Sequence, residues 1–197
     1  MKAQSEDSAE TVSKMKIKSI QAIVIIVALL AVLSSMALAP QDKYTLKAQN
    51  GISFSEFRGY ESWQDVALSH TEDVMKIILA NSVMINAYKE GIPGNGKPFP
   101  EGSMIAKIIW SKKANPAAPF SVMVPDTLKK VQFIAKDSKR FPETSGWGYA
   151  EFTYDAASDT FKPGETYGKD SSFEKVCYAC HTRVKTRDYI FTDYPRR

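Results

Sequence analysis

The chain has 197 residues, 26 Lys and Arg against 22 Asp and Glu, a formal net charge of +4, and only two cysteines and two histidines. No long basic block and no aromatic-basic alternation lies behind that modest charge, so the composition offers nothing for nucleic acid to bind. There is no internal repeat, and the length past residue 40 allows one compact domain with a real core but not two comfortable ones.

Residues 1–18, rich in Ser, Glu, Asp and Lys, read as a disordered cytoplasmic tail. The stretch 19–39 follows, almost entirely apolar and uncharged from Ile20 to Ala39. At about 1.5 Å per residue, a run of roughly 20 makes a helix about 30 Å long, the thickness of a bilayer core. The spacing therefore predicts one N-terminal transmembrane helix. Lys14, Lys16 and Lys18 precede it, so the positive-inside rule puts the tail in the cytoplasm and everything after Pro40 in the periplasm. Ala37-Leu38-Ala39 has the small-x-small form of a signal-peptidase site, which keeps secretion after cleavage as an alternative. The apolar run exceeds the usual core of about 7–15 residues, and Pro40 would stand first after the cut, where its ring and missing N–H suit a peptidase poorly. Both features favour an uncleaved anchor on the inner membrane.

Residues 40–197 are expected to form the exported domain, of mixed secondary structure with strands prominent. Val74–Ala80 (VMKIILA) suits a strand or a helix by pattern alone. Asn81 is a good N-cap and Gly91 a good helix terminator, so a strand followed by a short helix over 82–90 is expected. The Gly- and Pro-dense stretch 91–102 reads as loop. Residues 104–110 read as a strand that puts Ile105, Lys107 and Ile109 on one face. Lys107 is there either a solvated strand lysine or a desolvated amine with a lowered pKa, available as a nucleophile. Further strands are expected over 128–136, 147–154 and 188–192.

Near the C-terminus stands Cys177-Tyr178-Ala179-Cys180-His181. A C-x-x-C-H run reads as a covalent attachment site for a c-type haem. Each thiol can form a thioether to one vinyl group, and the adjacent imidazole is then placed as axial ligand of the iron. A zinc site would need a distant fourth ligand, with no second C-x-x-C to supply it. A disulfide across so short a loop would stabilise little. A thioredoxin-like redox dithiol remains as the alternative. Export fits covalent haem attachment, which in bacteria takes place outside the cytoplasm.

In order along the chain, Phe99-Pro100-Glu101-Gly102 leading into Ile105-Ala106-Lys107, then 131–141 (VQFIAKDSKRF), Gly146-Trp147-Gly148-Tyr149, and the C-x-x-C-H run followed by Tyr189-Ile190-Phe191-Thr192, make the exported domain resemble the cytochrome P-460 family and the related cytochrome c′-beta. The resemblance implies an α+β fold, mainly an antiparallel β-sheet with a few helices packed on it. It implies a homodimer with one five-coordinate haem c per chain. Lys107 matches the lysine that in cytochrome P-460 is linked covalently to the porphyrin edge; the sequence leaves open whether the bond forms.

Gln132 appears where family members that oxidise hydroxylamine carry a distal carboxylate. An amide can hydrogen-bond a ligand but cannot take a proton at neutral pH. General-base work would then need Glu151, Asp170 or Glu174 in the pocket. A six-coordinate electron carrier would need His70, Met75, Met84, Met104 or Met123 as second ligand. Ordinary core filling accounts for the methionines, and a polar turn for His70. The expected function is a periplasmic mono-haem cytochrome with an open iron site that binds or oxidises hydroxylamine or nitric oxide and passes electrons to a partner cytochrome. The alternative is a non-enzymatic haem module that binds NO or carries electrons.

Overall fold

Six strands pair in sequence order into one antiparallel sheet: β1 (Gln64–His70), β2 (Val74–Ala80), β3 (Met104–Ala114), β4 (Met123–Lys136), β5 (Trp147–Asp155) and β6 (Thr160–Pro163). The structure is a computed structural model and describes residues 40–164 and 172–196. The expected tail, the expected span 19–39 and Asp170 lie outside the described residues, among which no helix is long and apolar enough to cross a membrane. With its few short helices, the described part is α+β and mainly antiparallel, as expected.

The sheet is covered on both faces, which is why its central strands read as nearly continuous apolar runs. On one face, Phe54 and Phe57 from a 3-10 turn (Phe54–Phe57) meet Phe133 and Phe152. Phe57 stacks on Phe133 with centroids 4.0 Å apart, and Phe54 meets Phe133 edge-on at 5.1 Å. Such pairs contribute about 0.5–1.5 kcal/mol each beyond area burial. The other face carries Ile105, Ile134 and Tyr149 and is covered by helix α1 (Ser82–Lys89), the 91–102 loop and the C-terminal segment. Pleating therefore assigns Ala106 and Phe133 to the aromatic layer, while Ile105, Lys107 and Ile109 face the other way.

Several expected elements hold. Strand β2 has the expected bounds, and α1 starts after Asn81, whose side-chain oxygen accepts from the Met84 N–H at 3.1 Å. Gly91 follows the helix at φ 90°, a left-handed conformation that favours glycine. Strand β4 begins five residues earlier than the expected 128. Pro125 is accommodated there because this end of β4 pairs with β3 alone, β5 joining only from Lys130 onward.

Two strands escaped the sequence reading. Strand β1 ends in three exposed residues, Leu68, Ser69 and His70, and β6 is a short edge strand closing on Pro163. The expected strand over 188–192 does not form. Asp188 (φ 46°) and Tyr189 (φ 64°) are both left-handed, which breaks any extended run, and Ile190 is buried against the second face without ladder partners. Its apolar pattern reflects packing and not sheet pairing.

Candidate haem-binding site

Register lines up one row of side chains across four strands. Ile78 of β2 pairs with Lys107 of β3, Lys107 with Gln132 of β4, and Gln132 with Glu151 of β5. The first three line a solvent-open cavity of about 150 Å³ on the second face of the sheet. Ile105, Ile134 and Tyr149 extend that wall, and Phe173, Cys177, His181 and residues 190–192 close the opposite side.

The second wall is built by helix α2 (Phe173–His181). Ser172 caps it, accepting from the Lys175 N–H at 3.3 Å. Cys177 and Cys180 are three residues apart, hence on neighbouring positions of one helical face. Cys177 and His181 line the cavity, whereas Cys180 is exposed and does not. After α2 a 3-10 turn (Thr182–Arg187) and the two left-handed residues Asp188 and Tyr189 bring the chain back. The Tyr189 carbonyl then lies 2.5 Å from His181 Nδ1. A carbonyl can only accept, so Nδ1 carries the proton and Nε2 keeps its lone pair for a metal. The edges of Tyr149 and Phe191 fix the imidazole from two sides, at centroid distances of 5.0 and 4.9 Å.

Burial dominates the electrostatics of these groups. It lowers the Lys107 ammonium, with Lys76 pushing the same way and Cys177 and Glu151 opposing. It lowers His181, against the pull of the Tyr189 carbonyl, and so keeps the imidazole neutral, as ligation requires. It pushes the Cys177 thiol up to about 11. A dithiol oxidoreductase depends on a depressed thiol pKa, so the redox-site alternative finds no support in Cys177. Among the described residues no three His, Cys, Asp or Glu side chains form a metal cage.

The Gln132 amide is engaged by a carboxylate that does not line the cavity. Its Nε2 donates to Glu151 Oε2 at 2.6 Å, and the same oxygen lies 3.0 Å from Lys130 Nζ. Glu151 is thus a buried carboxylate directly behind a cavity-lining amide, though it does not itself line the cavity. Glu174 lies elsewhere, accepting from Asn50 Nδ2 at 2.9 Å. His70, Met75, Met84, Met104 and Met123 do not line the cavity, so among the described residues its wall holds no second imidazole and no thioether.

Three features suit a haem. The walls are largely apolar, with a neutral imidazole and a thiol at one side. The Tyr149 hydroxyl is buried and has no hydrogen-bond partner among the described residues, an orphan that a polar edge of a bound group would satisfy. The Cytochrome P460 family profile matches residues 57–192. The chain belongs to the cytochrome P460 family. It is therefore a haem-binding cytochrome, and the match runs from the aromatic layer to Thr192, taking in Lys107, Gln132, Cys177, Cys180 and His181. Comparison with curated proteins gives no match.

Sequence reading of this P460 chain missed Tyr149 as a cavity residue and the Tyr189 carbonyl as the partner of His181. The first had a signal, since Tyr149 and Glu151 alternate along one strand face. The second had none, because tyrosine rarely adopts the left-handed conformation that aims this carbonyl.

Proposed function

We propose that this cytochrome carries one haem c, which Cys177 and Cys180 would hold through their thiols and His181 through its imidazole, and that with this haem it binds or oxidises hydroxylamine or nitric oxide. The observation that carries this reading is convergence: Lys107 and Gln132 from the sheet and Cys177 and His181 from α2 line one cavity. Once bound, the haem supplies an iron that takes a small ligand and exchanges single electrons.

The protein's own groups have distinct parts. His181 offers Nε2 because its Nδ1–H is engaged by Tyr189. Lys107 presents a desolvated amine on the cavity wall, whose lowered pKa favours the nucleophilic free-base form. Gln132 can orient a small ligand by hydrogen bonding but cannot remove its proton. The carboxylate behind Gln132, Glu151, is already held by Gln132 and Lys130. That engagement favours the second reading, a non-enzymatic c′-beta-like module that captures NO.

The further parts of the proposal rest on other features. The lysines before the apolar run 20–39 support a periplasmic domain held at the inner membrane, with secretion after cleavage as the alternative. A homodimer is supported by Leu68, 73% exposed on the edge strand β1. A partner cytochrome would receive or supply the electrons.

The test is a denatured mass and an optical spectrum of protein exported from a strain competent in cytochrome c maturation. One covalent haem per chain is expected, and its absence sinks the proposal. A strongly red-shifted ferrous Soret band, lost in Lys107→Ala, marks the lysine bond and hydroxylamine chemistry. An ordinary c-type spectrum that Lys107→Ala leaves unchanged marks the gas-binding module.

A further inference from the structure

The buried ion pair between Lys136 and Asp188 does not line the cavity, and the function proposed above does not use it. Its side chains are only 6% and 11% exposed, and Lys136 Nζ lies 2.9 and 3.1 Å from the two Asp188 oxygens. The ammonium also donates to the Ser145 carbonyl at 3.2 Å and stands 4.8 Å from the centre of the Trp147 ring. Asp188 Oδ2 further accepts from the Phe99 N–H at 2.8 Å. An ion pair this enclosed is held in one geometry by bonds to every side.

What it holds is the turn behind His181. Asp188 and Tyr189 are consecutive left-handed residues; aspartate tolerates that conformation, but tyrosine is strained in it. The turn persists because its side chains are tied down. Asp188 is fixed by Lys136, the last residue of β4. The Tyr189 hydroxyl accepts from Ser145 Oγ at 2.9 Å, and Ser145 Oγ in turn lies 2.8 Å from the Tyr178 hydroxyl. Ser145 so closes the network: its carbonyl binds Lys136 and its hydroxyl binds Tyr189.

We infer that Lys136, Asp188 and Ser145 are positioning residues for the axial histidine, fixing the Tyr189 carbonyl to the sheet so that the His181 Nδ1–H bond stays short and the iron is tuned toward its ferric state. The chemistry is that of an outer-shell partner. A strong Nδ1–H···O bond makes the imidazole a better electron donor through Nε2, which favours the more positive iron. When the turn relaxes, the bond lengthens and the ferrous form gains. The inference rests on the haem reading given above.

The experiment uses the haem-loaded protein and two readouts that a merely structural role would leave alone, the midpoint potential and the iron–histidine stretching band of the ferrous form. Asp188→Asn keeps the side chain's shape, its tolerance of positive φ and an acceptor for Phe99, but removes the charge. It is expected to shift the ferric/ferrous equilibrium about tenfold toward ferrous, an upward shift of about 59 mV for one electron, and to lower the stretching frequency. Lys136→Met should do the same, while Lys136→Arg should restore both values. Ser145→Ala acts from the exposed side with the same sign and smaller size, and decides the matter by the same readouts if the ion-pair variants do not fold. Haem-loaded variants with wild-type potential and band overturn the inference alone. Wild-type protein without haem overturns the haem reading and the inference together.

Discussion

Replacing Glu151 by glutamine removes the carboxylate behind Gln132 and keeps its shape. Glu151 is 5% exposed and accepts a 2.6 Å bond from Gln132 Nε2, with Lys130 Nζ 3.0 Å away. Breaking a fully buried pair costs about 3–5 kcal/mol, but Lys130 is 31% exposed and regains water when its partner goes. The loss is then mainly that of a charge-assisted hydrogen bond, about 1.5–3 kcal/mol, reduced because the new amide oxygen still accepts from Gln132. An expected cost of about 1.5–2 kcal/mol lowers Tm by about 3–8 °C in a domain of this size. Glu151→Ala leaves the Gln132 amide unsatisfied over a cavity and should cost about 3–5 kcal/mol. Thermal unfolding of the haem-loaded protein at pH 7, followed by far-UV circular dichroism, separates the two. Equal losses, or none in either variant, would show that the carboxylate is not held in this way.

Gly148→Ala places a Cβ 2.4 Å from two ring atoms of the buried Phe141, an overpacking expected to cost about 1–3 kcal/mol; Phe141→Leu in the same chain should recover part of it in a urea titration. Phe133→Ala empties the centre of the aromatic layer, where Phe54, Phe57, Tyr60 and Phe152 all meet it, and should lower stability by about 3–5 kcal/mol by the same titration. Burial pushes the Glu56 carboxyl up, but hydrogen bonds from Arg140 and the Ser53 N–H outweigh it and hold the group below its ordinary 4.5. Its contribution is therefore complete above pH 4.5 and lost as pH falls through the lower native value. The stability difference between wild type and Glu56→Gln should accordingly shrink between pH 7 and pH 3.

Local signals carried those parts of the fold that depend on local chemistry. Asn81 and Gly91 bracket α1, and alternation in β3 sets Lys107 apart from Ala106 and Ile108. The C-x-x-C-H run marked Cys177 and His181 because its spacing has a covalent reason. The contact between Gln132 and Glu151 was not legible, since it depends on the register of β4 against β5, which no short window contains. Residues 188–192 misled for a different reason. A buried coil and a strand share an apolar pattern, and only the left-handed backbone at Asp188 and Tyr189 tells them apart.

Because each strand's ladder partner is its neighbour in sequence, all the sheet pairing among the described residues is complete by Pro163. The two thiols and the histidine that would hold the cofactor come later, in α2. Scaffold and attachment arm are thus written in separate stretches of the chain. The arm can change its ligand spacing or its thiols without resetting a single strand register, which leaves the chemistry of the iron free to diverge on a constant wall.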